Sequence, residues 1–338
     1  MRPPLVKPIK VLFNEFLAES SNAEKSKQIY LAVFKTFSRW SGRNEKSFRS
    51  LTLSDMVAFR EHLISAGRSA NTINLYITIL KLFFTWLFEH YEYPNIMQYI
   101  RRVPASPEFR KQYLVPEKVK DLLLSISNDS LIGKRDFAII NLMVRTGLRC
   151  IEVTRLNVSD LLLIDDSTPV IAIQRKGRIE KTEFLGLTPK AYGPIVEYLD
   201  ARGIELKSIQ QVVKIQPDQS PENIFTALIE KSETTQESAV PLFVNHANAS
   251  RNTRMNPNRL GTVVKARLNK IGLTSRAYTA HSLRHTAACN ALDAGVSIYD
   301  VKVMLGHASV KTTELYLKMI ANRRSLANGP GIALDKLF

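Results

Sequence analysis

The stretch Arg101-Arg102-Val103-Pro104-Ala105-Ser106-Pro107 is the strongest break in the chain. Each proline lacks an N–H and biases the residue before it away from the helical region, so no helix runs through this stretch. It divides the 338 residues into an N-terminal part, 1–106, and a larger part, 107–338. About two domains is also what this length suggests.

The first part reads as all helix. Val11, Leu12, Phe16 and Leu17 are interleaved with Lys10 and Glu15 over Ile9–Ala18. Ile29, Val33, Phe34, Phe37 and Trp40 recur at the spacing of one helical face. Ser54 or Asp55 is a capping residue for a third helix through Leu63, closed by Gly67. Ser69 or Asn71 caps a fourth, running to about Tyr91 before Pro94. Four or five short helices make a small bundle.

The second part is mixed. Pro116–Ile126 opens with proline in a first-turn position, and Phe137–Val144 is a strongly apolar helix. Val170–Gln174 and Thr182–Leu187 read as strands bracketing Arg175-Lys176-Gly177-Arg178. Pro189–Leu199 returns to helix. The segment 204–254 carries no clear period and reads as an insertion or long surface loop. From Asn256 to Ile320 the pattern is helical, broken near Gly272, Gly295 and Gly306. The fold class is therefore mainly α: a helical bundle, then a mostly helical domain with a small antiparallel β-sheet.

Charge narrows the function. Lys and Arg number 47 against 31 Asp and Glu, a net charge of +16. Such an excess in both halves points to a polyanion, most simply nucleic acid. Cys150 and Cys289 are too few and too far apart for a disulfide scaffold, which suits a reducing cytoplasm. The opening residues show no secretory leader pattern. The apolar stretch Leu75–Phe88 is interrupted by Thr78, Lys81 and Thr85 and reads as too short and polar to span a membrane.

The chemistry-bearing residues concentrate in Tyr278–Tyr316. His281 and Arg284, three apart, share a helix face. His307 follows Gly306, and Tyr316 comes nine residues later. Upstream, Arg149 follows Gly147-Leu148, with Glu152 three positions on, and Lys176 sits in the hairpin turn. Two guanidiniums can hold the oxygens of one phosphate and stabilise a pentacoordinate transition state. A tyrosine hydroxyl, with a pKa near 10, needs a base or strong electrostatic help to attack. A lysine or histidine can protonate the alkoxide that leaves. Arginines can carry the charge that Mg²⁺ carries elsewhere. His281 and His285 are four apart, as in paired metal ligands, but no Glu follows His281 and no carboxylate ligand is evident, so no metal site is assigned.

Thr146-Gly147-Leu148-Arg149, Lys176, His281-Ser282-Leu283-Arg284-His285-Thr286, Leu305-Gly306-His307 and Tyr316 together resemble the site-specific tyrosine recombinases, the phage integrase family. The resemblance is to its shorter two-domain members, the Xer-like recombinases and mobile-element integrases. It implies a core-binding helical domain over 1–106 and a catalytic domain over 107–338, whose tail, 322–338, docks on a neighbouring protomer. It implies that Tyr316 forms a 3′-phosphotyrosyl bond, that Arg149 and Arg284 clamp the phosphate, and that Lys176 protonates the leaving 5′ oxygen. His281 is then an acid/base, His307 supports the phosphate, and Glu152 and His285 are supporting residues. The implied partner is a double-stranded DNA recombination site, bound by a homo-tetramer that exchanges strands through a Holliday junction. An accessory directionality factor or a partner recombinase belongs to the same expectation, and no membrane, metal, ATP or other cofactor does. The expected location is cytoplasmic and nucleoid-associated.

With DNA as partner, Lys35, Arg39, Arg43, Lys81, Arg175 and Arg178 become DNA-contact candidates. Affinity should then fall steeply with salt, as for roughly 6–10 neutralised phosphates. The expected role is integration and excision of a mobile element, because 204–254 departs from compact members. The alternatives are resolution of chromosome or plasmid multimers and a non-catalytic DNA-binding regulator.

Overall fold

The structure, a computed structural model, describes residues 7–21, 24–104, 112–165, 167–178, 180–206, 211–214, 221–234, 240–246 and 251–327. The chain forms two compact units, Met1–Glu108 and Phe109–Phe338.

The first unit holds α1 (Ile9–Glu19), α2 (Glu24–Arg43), α3 (Leu53–Ser65) and α4 (Ala70–Tyr91). Thr52, rather than Ser54 or Asp55, caps α3. Its hydroxyl and the Asp55 carboxylate close a reciprocal box, the Thr52 amide donating to Asp55 at 2.8 Å. Ser69 caps α4, and Glu92 ends it in the left-handed region. The core is aromatic: Phe13 stacks on Phe34 with ring centroids 4.0 Å apart and meets Phe83 edge-on at 4.9 Å. Contrary to the sequence reading, α4 is long and apolar enough to cross a membrane. Here it is the central core helix, burying Ile73, Ile77, Leu80, Phe83, Phe84 and Leu87. The chain leaving the unit is strapped to α4. Asn74 donates to Val103 O at 2.9 Å and accepts from Val103 N at 2.8 Å.

The second unit contains α5 (Pro116–Leu124), α6 (Leu131–Thr146), α7 (Cys150–Arg155), β1 (Leu161–Ile164), β2 (Thr168–Ile173), β3 (Glu183–Gly186), α8 (Pro189–Ala201), β4 (Gln211–Val213), α9 (Pro221–Thr234), α10 (Pro257–Lys270), α11 (Ala280–Asp293), α12 (Ile298–Leu305) and α13 (Val310–Ala327). Helix α6 lies in the main core, with Ile139, Ile140, Leu142 and Met143 fully buried. Its buried Asp136 is shared by Arg135, at 2.6 Å, and Arg267, at 2.5 Å. Two guanidiniums on one carboxylate offset the cost of burying it.

The sheet departs from the expected antiparallel one. Its order is β3-β2-β1-β4, antiparallel except for the parallel pair β1–β4, in which Leu163 faces Val212. Strand β4 and helix α9 come from the segment that reads as an insertion. They complete a small apolar cluster in which Val213 and Leu228 pack with Leu162 and Val170. A three-residue strand carries too little alternation to be read in advance. The expected docking tail falls mostly outside the described residues, which end at Ala327.

Candidate active site

Helix α6 stops at Gly147, which has φ +67; a Cβ there would lie 2.5 Å from Leu305. The left-handed turn delivers Arg149 to the start of α7. Glu152, fully buried, accepts from the Arg149 backbone N–H and from its Nη1, both at 2.8 Å. Its second oxygen lies 3.6 Å from Arg175 Nη1.

Arg284 projects from α11 and is 1% exposed. Its Nη1 donates to Gly147 O at 2.8 Å and its Nη2 to Leu305 O at 2.7 Å. These carbonyls close α6 and α12, where orphan acceptors and the helix dipoles favour a cation. Burial and the charge of Arg149 push its pKa down to about 10, so Arg284 stays charged at neutral pH.

Gly306 ends α12 with φ +64 and leads into His307. His307 Nδ1 is 3.0 Å from the Thr313 hydroxyl. Its ring stacks on Tyr316 at 6.1 Å, tilted by only 8°. Thr313 and Tyr316, three apart on α13, meet the same imidazole because they share a helix face. Burial, then the charges of Arg284 and Arg149, pushes the His307 pKa down to about 4. Tyr316 is buried, which raises its pKa; the charge and hydrogen bond of Arg284 pull the other way without prevailing. The phenol is therefore protonated at neutral pH and needs a base to act as a nucleophile. His285 is buried with its ring 5.4 Å from Tyr316, and His281, exposed on the first turn of α11, meets His285 edge-on at 4.6 Å.

The structure thus brings together Arg149, Glu152, Arg284, His285, His307 and Tyr316. Lys176 is exposed at the tip of the β2–β3 turn. Lys181, the other lysine of this hairpin, is committed to both oxygens of Asp160 at 2.6 Å. Lys35, Arg39, Arg43 and Arg178 are exposed, as a DNA-contact assignment needs. Lys81 is half-buried and donates to Gln98 O at 3.2 Å. Arg175 departs from its DNA-contact assignment: only 5% exposed, it spends its fork on Glu183 at 2.7 Å and Met304 O at 3.0 Å. Thr313 is a site residue whose one sequence signal is its place three residues before Tyr316.

The half-buried imidazoles His307 and His246 set an acid limit. Burial also pushes the His246 pKa down to about 4, and Tyr198 meets that ring at 2.9 Å. Both histidines are neutral when folded but take up a proton near pH 6.5 when unfolded, so stability falls as pH drops from about 6.5 towards 4. The thermal midpoint should be lower at pH 5 than at pH 7, and His246→Gln should flatten that decline in a calorimetric series. An equally steep decline in the variant would remove His246 from the account.

Comparison with known proteins gives a family and a fold. Residues 112–323 match the Phage integrase family, and residues 12–91 match the N-terminal SAM-like domain of phage integrases. The tyrosine recombinase XerD of Rickettsia bellii is 25% identical over 319 residues, covering 93% of this chain and 95% of that protein. The tyrosine recombinase XerC of Thermodesulfovibrio yellowstonii is 27% identical over 259 residues, covering 76% of this chain and 74% of that one. The XerH site-specific recombinase in a post-cleavage complex with a palindromic difH substrate superposes with a TM-score of 0.64 at 19% identity, covering 90% of this chain and 79% of that one. The Tn1549 transposon integrase with circular intermediate DNA gives a TM-score of 0.63 at 16% identity, covering 90% and 94%. These two superpositions show a shared fold.

Proposed function

The chain belongs to the phage integrase family, and from that premise we propose that it is a site-specific DNA recombinase working through a covalent tyrosyl intermediate. The observation that carries the reading is the convergence of Arg149, Arg284 and His307 around Tyr316, with the charges of Arg284 and Arg149 drawing its pKa down against burial and His307 stacked on it. The Tyr316 oxygen attacks a DNA phosphorus, and its proton passes to an imidazole, for which His281 is the accessible choice. The bond from phosphorus to the 5′ oxygen breaks, and Lys176 gives that oxygen a proton. The DNA strand is left joined to Tyr316 through a 3′ phosphate. The free 5′ hydroxyl then attacks the partner strand's phosphotyrosine, rejoining DNA and restoring the phenol.

Charge from Arg149 and Arg284 lowers the barrier by neutralising the phosphorane. Arg149 is the more accessible of the two, and one edge of its guanidinium is held by Glu152, which orients the rest. Strand exchange between two duplexes asks for four protomers, a dimer of dimers on DNA in the nucleoid.

Two biological roles suit this chemistry. Integration and excision of a mobile element fits the segment built around β4 and α9. Resolution of chromosome or plasmid multimers is favoured by the extent of the Xer relatives, one matching 93% of this chain. A covalent-trapping assay tests the chemistry and the role together. Labelled nicked duplexes tiled across the DNA flanking the protein's own gene would be incubated with it, with EDTA and without ATP, then run on a denaturing gel. The expected result is a protein–DNA adduct on one duplex. An adduct site at an element boundary would support integration; one at a replication-terminus or plasmid site would support resolution. Specific retardation on a native gel with no adduct would overturn the catalytic reading in favour of a regulator.

A further inference from the structure

Arg175 is the residue the chemistry above leaves unused, and its setting is not that of a loop arginine. It directly precedes Lys176 in an exposed turn, yet its own side chain runs inward and is 5% exposed. Nε donates to Glu183 Oε2 of β3 at 2.7 Å. Nη2 donates to Met304 O at 3.0 Å and Val303 O at 3.5 Å, at the end of α12. Nη1 pairs with Glu152 at 3.6 Å, the carboxylate that holds Arg149. Any Cβ at position 306 would sit 2.6 Å from its Nε, so only glycine leaves room for the guanidinium beside His307.

One side chain therefore ties the hairpin root to the Arg149 support and to the backbone before His307. The tip is built differently. Gly177 has φ +85 and open space around it, and Lys176 makes no hydrogen bond or ion pair among the described residues. We propose that Arg175 is a positioning residue for Lys176: it fixes the root of the turn so that the lysine is delivered to the leaving 5′ oxygen. This rests on the reading of Lys176 as the proton donor. Consecutive Cα atoms are about 3.8 Å apart, so anchoring position 175 confines the lysine's own backbone. Loosening the anchor spreads the ammonium over positions from which transfer fails, and angstrom-level misplacement costs about 10²-fold in rate.

The test compares two leaving groups. On the duplex that forms the adduct, the 5′ oxygen at the scissile bond is replaced by sulfur. A thiolate, with a thiol pKa near 8.5, departs without a proton. Single-turnover cleavage would be measured for wild type, Lys176→Ala, Arg175→Ala and Arg175→Lys on both duplexes, beside their DNA affinity and thermal midpoint. Lys176→Ala should lose about 10²-fold or more on oxygen and recover on sulfur. Arg175→Ala should lose about 10²-fold on oxygen, recover equally on sulfur, and bind DNA as wild type does. Arg175→Lys keeps the charge without the fork and should show the same pattern more weakly; it decides the matter if the alanine variant does not fold.

If Lys176→Ala is unimpaired or is not rescued, the proton-donor reading fails and the proposal falls with it. If Lys176→Ala is rescued while the Arg175 variants cleave normally, or stay slow on sulfur, the proposal alone is overturned. Slowness on sulfur would mean that Arg175 acts through Glu152 and Arg149 instead.

Discussion

Replacing Tyr316 with Phe should abolish the covalent adduct while leaving DNA affinity within about twofold of wild type. Only the phenol oxygen is lost. The ring is 2% exposed and packs with Ala288, Val301, Leu305 and Ile320. Phe keeps that packing and the stack on His307. Losing one phenol hydroxyl costs about 1 kcal/mol, so the fold should survive. Arg284 retains its two carbonyl acceptors in the variant. Denaturing gels read the chemistry, and native gels with calorimetry read binding and fold. A residual adduct in the Phe variant would identify another nucleophile and displace Tyr316 from its role.

Glu152→Ala should destabilise the second unit by about 3–5 kcal/mol, the scale of leaving a buried ion pair with one partner. Glu152 is fully buried between Arg149 and Arg175. Burial, then Arg149 and Arg175, depress the pKa of Arg284, and Glu152, ahead of Tyr316, opposes them. Removing it takes the carboxylate partner from Arg149 and from Arg175 Nη1, and the Arg149 amide loses its acceptor. Glu152→Gln keeps an acceptor without the charge and should fall between wild type and Ala. For a unit of this size the calorimetric midpoint should drop by about 10 °C. The protein's 2 tryptophans, Trp40 and Trp86, both lie in the first unit, so tryptophan fluorescence should report an unshifted transition there. A loss under about 1 kcal/mol in the second unit would show that the guanidiniums are neutralised by something other than Glu152.

Much of the site is legible because its parts are short-range. Arg149 and Glu152 are three apart across a helix start, as are Thr313 and Tyr316 along α13. A glycine at each helix end marks where Arg149 and His307 leave their helices. The helices of the first unit are equally legible, because apolar side chains repeating near 3.6 residues can bury themselves on only one face. The edges are less so. Thr52 caps α3 where Ser54 or Asp55 offers the same chemistry two or three residues away, and such neighbours differ only in the backbone they meet.

The sequence by itself determined which residue types are present, their order, and the helical faces that carry them. These depend on contacts within a turn or two, where spacing and geometry are nearly the same thing. Tertiary structure alone decided which cations face inward. Arg175, Lys176, Arg178 and Lys181 look interchangeable along the hairpin, yet one is buried against Glu152, two are exposed and one is bound to Asp160. Arg284 finds its acceptors on residues 137 and 21 positions away, and β4 finds β1 across a segment with no readable period. A buried charge is stable only where distant backbone and carboxylates converge to satisfy it, and that convergence exists only once the chain has folded.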